Sequence, residues 1–135
     1  MSKINAYINF KNNCREALTF YQQCLGGELT LQVVKESPMK DMFPPHLQDS
    51  ILHASLENGE LILLGSDMPD GAIGSDGGPI SLMLVCAGLA ELNDAVAKLG
   101  ADGKVVHPVS TFFAGTMGNL VDKFGIRWGL FTDEK

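Results

Sequence analysis

The chain has 135 residues, of which 45% are apolar and 19% charged, enough apolar content to build a packed core and too much for a disordered chain. Its net charge is −6 and its ten Lys and Arg residues are scattered from Lys3 to Lys135, so no basic stripe is present to neutralise nucleic-acid phosphates. The three cysteines, Cys14, Cys24 and Cys86, are odd in number and lack C-x-x-C spacing, which argues against a disulfide framework and a structural zinc motif.

Residues 3–10, KINAYINF, alternate with period two: Ile4, Ala6, Ile8 and Phe10 point one way, Asn5, Tyr7 and Asn9 the other. That is the pattern of a strand with one face on a core. Asn12 and Asn13 offer helix caps, and Glu16, three residues after Asn13, completes a capping-box spacing. Cys14, Ala17, Leu18, Tyr21, Cys24 and Leu25 follow at helical spacing until Gly26-Gly27. A second strand is expected over Glu28–Val34, then a loop over Glu36–Asp49 with its three prolines. Ile51–Glu57 and Glu60–Leu64 flank Asn58-Gly59, a strong hairpin signal. The Gly- and Asp-rich stretch 66–78 reads as a linker.

The order then repeats. Pro79–Cys86 is expected as a strand, and Leu89–Leu99 as a helix with Leu92, Ala95, Val96 and Leu99 on one side and Gly100 at its end. Lys104–Val109 is a further strand, and Ala114–Val121 and Ile126–Phe131 form a hairpin about Asp122–Gly125. Each half reads β-α-β-β-β, with modules at 3–67 and 79–133 inside one 135-residue domain, an α+β chain with an internal repeat. The apolar sets Ile4/Ala6/Ile8, Leu52/Ala54/Leu56 and Ile80/Leu82/Leu84 are expected to pack under the helices. The sets Asn5/Tyr7/Asn9, Ile51/His53/Ser55/Glu57 and Ser81/Met83 would face the other way. In the last strand Trp128 falls on the core side and Arg127 on the polar side, while Asp122 and Gly125 take turn roles.

Other chemistries find little in the residues. No G-x-S-x-G is present, and Cys14 and Cys24 fall on the core stripe of a helix. A Rossmann-type methyltransferase needs a glycine-rich turn between a strand and a helix, whereas Gly26-Gly27 ends a helix and Gly77-Gly78 precedes a strand. Asp67, Asp70 and Asp76 do not match the spacing of a calcium loop. His53 falls on the face of its strand opposite the core set, whereas His46 and His107 fall in or beside proline-containing loops. It is the candidate for acid–base work, with Glu57 two residues along the same face, or for a two-residue metal contact with Asp67. No stretch approaches the ~20 apolar residues of a membrane helix, and the N-terminus shows no signal-peptide pattern, so a soluble cytoplasmic protein is expected.

Three segments, YINFKNNCREALTFYQQCLGGEL, ILHASLENGELILLGSD and GNLVDKFGIRWGLF, resemble the vicinal oxygen chelate superfamily, which includes glyoxalase I, extradiol dioxygenases and bleomycin-resistance proteins, and within it the PhnB-like group. The resemblance implies paired βαβββ modules forming a curved mixed sheet around a pocket. It places the four metal-ligand positions of the superfamily's metalloenzymes at or near Asn5, Leu64 (Gly65 or Ser66 with an offset of one or two residues), Pro79 and Gly129, a set without carboxylate or imidazole, so no metal or other cofactor is expected. It also implies a small-molecule ligand and a homodimer, with Tyr7, Asn9, His53, Ser55, Met83 and Arg127 as the ligand-binding candidates. The expected function is a metal-free binding protein for a small organic molecule. The alternatives are a metal-dependent lyase, isomerase or dioxygenase of the glyoxalase type, and a drug-sequestering resistance protein. Segments 36–49 and 66–78 are the candidate lids.

Overall fold

The computed structural model describes residues 4–67 and 80–135. The chain divides into two compact units, Met1–Ala72 and Ile73–Lys135. The first contains β1 (Ala6–Phe10), α1 (Cys14–Leu25), β2 (Glu28–Val33), β3 (Ile51–Asn58) and β4 (Leu61–Asp67); the second contains β5 (Leu82–Val85), α2 (Leu89–Leu99), β6 (Lys104–Phe112), β7 (Gly115–Val121) and β8 (Arg127–Thr132). Each unit holds one four-stranded mixed sheet, ordered β1-β4-β3-β2 and β5-β8-β7-β6. In both, the first strand runs parallel to the last, and the remaining pairs are antiparallel. The sequence repeat is therefore a repeat of sheet topology, as expected for this α+β architecture.

Each helix forms because its apolar residues share one side. In α1, Cys14, Ala17, Leu18 and Tyr21 are buried at positions i, i+3, i+4 and i+7 and pack on β3 and its neighbours. Leu92, Ala95 and Leu99 do the same for α2 against β8 and β7. Burying each large apolar side chain contributes about 1.5–3 kcal/mol, so these stripes fix which side of each sheet is core. Beneath α1 lie Ile8, Phe10, Ala54, Leu56 and Leu63; in the second unit the core includes Leu120, Trp128 and Leu130.

The two helix starts are capped alike. Cys14 N–H donates to Asp67 Oδ1 (2.9 Å), from the end of β4, while Leu89 N–H donates to Glu134 Oε1 (2.8 Å), just beyond β8. An anion there complements the unsatisfied N–H groups and the positive end of the helix. The capping box expected from Asn13 and Glu16 does not form: Asn13 makes no side-chain cap bond, and the Asp67 carboxylate serves the helix start instead. At the other end of α1, Gly27 has φ +105°, and a Cβ there would lie 2.5 Å from the Glu57 carbonyl oxygen. Only glycine allows the chain to turn this close to β3.

Several expectations about sheet faces change. Ile4 and Ile80 are 98% and 77% exposed rather than core, because the ladders begin only at Ala6 and Leu82. Ile51 is buried and Leu52 half-buried, the reverse of the expected facing. The cause is a bulge: Gln32 pairs with His53 but Val33 pairs with Ile51, so one residue of β3 is extra and the alternation slips. The segment expected as a plain loop at 36–49 contains three short 3-10 turns between 34 and 47. Bonds from Val34 N–H to Ser50 O and Lys35 N–H to Gln48 O close its base. The candidate lid 66–78 falls largely outside the described residues, as do Pro79, Asp70 and Asp76. No described helix is long and apolar enough to cross a membrane.

Candidate functional site

In the first unit the polar sheet face carries Tyr7, Asn9, His53 and Ser55. The register sets Thr30, Ser55, Leu64 and Tyr7 in one row across the four strands. Further along the same face, Asn9 pairs with Ser66 of β4 and His53 with Gln32 of β2. The Tyr7 and His53 rings meet with centroids 5.9 Å apart and a 39° tilt. Their strands are separated by β4, so the two rings reach toward each other over it, and Ser66 in that strand is buried. The sequence-predicted residues of this unit thus share one face, with an aromatic–imidazole pair at its centre.

Asp67 does not join His53. It stands on the helix side of β4, where Oδ1 accepts from Cys14 N–H and Oδ2 from Ile51 N–H (3.0 Å). Period-two alternation separates the two side chains, and the metal contact considered for them is not formed. The expected acid–base partner Glu57 lies on β3 opposite Glu28, exposed to solvent. Nor is Cys14 a nucleophile: burial first, then the nearby Asp67 charge, pushes its thiol up to about 12, with Arg15 acting weakly in the other direction. Burial likewise raises the Cys86 thiol, helped by Glu91.

The same unit encloses an apolar cavity of about 110 Å³, lined by Asn12, Val34, Phe43, Leu47, Ser50, Leu52 and Asp67. It lies under the 34–50 segment, and Leu52 reaches it because of the β3 bulge. Of the residues singled out from the sequence for chemistry, Asp67 lines it, and none of the six ligand-binding candidates does. The available signal was the run of apolar residues among the prolines, Phe43 and Leu47, which a plain loop does not need.

In the second unit, Met83, Gly129, Asn119 and His107 occupy one row of the polar face. A Cβ built on Gly129 would meet Met83 Cε at 2.9 Å, Met83 Sδ at 3.2 Å and Asn119 Oδ1 at 3.1 Å. The space a side chain would need at Gly129 is therefore already taken. Beside it is a cavity of about 170 Å³ lined by Ser81, Val106, His107, Asn119 and Arg127. Arg127 was the sequence's candidate cation, and the structure groups it with Asn119 and His107, which sequence reasoning missed.

The miss has a physical origin in β6. Val105 pairs with Leu120 and His107 with Asn119, so residue 106 is an extra one; a second slip follows between His107 and Ser110. These bulges, around Pro108, let consecutive residues Val106 and His107 both line the cavity. No period-two reading can place them so. The strand also runs to Phe112, three residues beyond its expected end.

Among the positions that the resemblance assigns to metal ligands, Asn5 lies outside the ladder, Leu64 sits in the row of Tyr7 and Ser55, and Gly129 is covered by Met83. A leucine, a glycine and a neutral amide do not make a donor set for a divalent ion. Among the described residues no group of three His, Cys, Asp or Glu side chains converges to hold one.

Residues 3–130 match the family model of the Glyoxalase/Bleomycin resistance protein/Dioxygenase superfamily. Protein YjdN of Escherichia coli (strain K12) is 28% identical over 139 aligned positions, covering 93% of this chain and 91% of YjdN. Among solved structures, protein PA1353 from Pseudomonas aeruginosa superposes with a TM-score of 0.85 at 30% identity, covering all of both chains. The PhnB protein from Bacillus cereus superposes with a TM-score of 0.74 at 20% identity, covering 97% of this chain and 99% of that one, a likeness of fold.

Proposed function

Given that the chain belongs to the Glyoxalase/Bleomycin resistance protein/Dioxygenase superfamily, we propose that it is a metal-free member that binds a small organic molecule on the polar faces of its sheets. One observation carries this reading. Where the family resemblance puts the last metal-binding carboxylate, this chain has Gly129, and Met83 and Asn119 fill the space above it. A metal-dependent lyase, isomerase or dioxygenase would need a donor there to polarise a substrate oxygen. The polar faces supply what a ligand site needs instead: aromatic and thioether surface with a few placed hydrogen-bonding groups. In the first unit these are Tyr7, His53, Asn9 and Ser55; in the second, Met83, Asn119 and Arg127. A methyltransferase of the Rossmann type is not supported, since neither sheet is a doubly wound parallel one.

The test is a thermal-shift screen with Ni, Zn, Mn and a panel of small metabolites, alongside elemental analysis of the purified protein. A ligand that binds only the folded state raises the transition by mass action. The reading predicts a rise with one or more organic molecules, unchanged by chelator. A stoichiometric divalent metal in the purified protein would overturn it, and so would a panel in which metals alone raise the transition.

A further inference from the structure

We propose that the cavity bounded by Ser81, His107, Asn119 and Arg127 receives the oxyanion end of a small organic acid. This inference rests on the small-molecule reading above and specifies its ligand class. The four polar residues come from different places in the second unit: Ser81 precedes β5, His107 is on β6, Asn119 on β7 and Arg127 on β8. All four carry hydrogen-bond donors and line one space of about 170 Å³, and none of the described lining residues is acidic. A single water needs only ~10–15 Å³ of such volume, so the cavity has room for a carboxylate or phosphate-type group.

The donor chemistry matches that group. A guanidinium is always charged and presents a planar fork suited to two oxygens of a carboxylate, phosphate or phosphonate. The Asn119 amide and the Ser81 hydroxyl donate from the sides, and the His107 ring adds an N–H. Val106, the remaining described lining residue, adds an apolar wall. The bulges in β6 are the devices that bring His107 and Val106 there together. The chain as a whole is acidic, at −6, and does not gather anions at long range. Recognition therefore falls to these local donors.

Titration of the isotopically labelled full chain, followed by NMR, tests this with three probes that share a phenyl ring: phenylacetate, phenylphosphonate and neutral phenylacetamide. Saturable shifts at residues 81, 107, 119 and 127 with at least one anion, and none with the amide, are the expected result. Saturation by phenylacetate alone identifies a carboxylate site, by phenylphosphonate alone a phosphate-type site, and by both a general oxyanion site. Arg127→Gln should weaken the anion by about ten-fold or more, as loss of a charge-assisted contact does. His107→Gln, at an exposed position that leaves the fold intact, should weaken it several-fold and keeps the test available if the Arg127 variant folds poorly.

The inference is overturned if neither anion saturates, if the shifts map outside the cavity, or if both variants bind like wild type. Saturation by phenylacetamide to the same degree sinks the oxyanion assignment while leaving the small-molecule reading standing. Failure of that broader reading is recognised separately, by the metabolite and metal screen.

Discussion

The Met83 thioether occupies the space that any side chain at Gly129 would require, with 2.9 Å between Met83 Cε and a Cβ built on the glycine. The two residues are partners across the parallel β5–β8 pair. Met83 is 53% exposed and flexible, so it can yield to a small intruder. Gly129→Ala is expected to change stability by less than ~1 kcal/mol, because alanine suits a strand and Met83 moves aside. Urea unfolding of Gly129→Ala and of Met83→Ala/Gly129→Ala should give nearly the same midpoint. A loss of several kcal/mol in the single variant alone would show that Met83 is locked in place.

Gly129→Glu puts back a carboxylate at the position where metalloenzymes of the superfamily are expected to hold one. It should not confer metal binding, because Leu64 offers no donor and Asn5 only a neutral amide. Calorimetry with Ni or Zn is expected to show affinity weaker than about 1 mM. A micromolar site in this variant would mean that the ligand positions are elsewhere.

Asp67 ties the start of α1 and the start of β3 to the end of β4 through its two oxygens. Asp67→Ala should destabilise the first unit by about 2–3 kcal/mol, as two backbone N–H groups lose a charged acceptor. Asp67→Asn keeps one acceptor oxygen and should cost roughly half as much. Hydrogen exchange should speed up first at the Cys14 and Ile51 amides. Unchanged exchange there would remove the tether from the account.

Asp122 does equivalent work in the last hairpin. Its Oδ1 accepts from Phe124 N–H (2.9 Å) and Ile126 N–H (3.0 Å), and its Oδ2 from the indole Nε1–H of buried Trp128 (2.8 Å). Asp122→Asn leaves either the indole or the two backbone donors facing an NH₂ group. The expected cost is about 2–3 kcal/mol, with a change in the fluorescence of the single tryptophan. Native-like fluorescence and stability in that variant would contradict the hydrogen-bond assignment.

The Cys14 thiol is raised from 9.0 to about 12, chiefly by burial. The unfolded chain therefore ionises first. The thiol's contribution to stability is fully present below pH 9.0 and is lost as pH rises toward about 12. Cys14→Ala should flatten that part of the stability–pH curve relative to wild type. Native protein should also react with a thiol reagent at this position only as fast as it opens. Rapid stoichiometric labelling of Cys14 in the folded state would be incompatible with its burial.

What the sequence determined by itself is the part governed by local period. The βαβββ repeat is visible because 3.6- and 2-residue periodicities alternate twice, with Leu25-Gly26 and Leu99-Gly100 closing each helix. The roles of Trp128 and Asp122 were readable from strand facing and turn chemistry, and Arg127 was placed correctly on the polar side. Tertiary structure decided everything that depends on register slipping or on distant acceptors. The bulge opposite Gln32 and Val33 turned Ile51 inward, and those in β6 placed His107 beside Arg127. A bulge inserts a residue whose position only the partner strand determines, so no single-strand pattern reveals it. Likewise Asp67 and Glu134 cap helices that begin 53 and 45 residues away in the chain, and a carboxylate chooses its N–H by distance in space rather than in sequence.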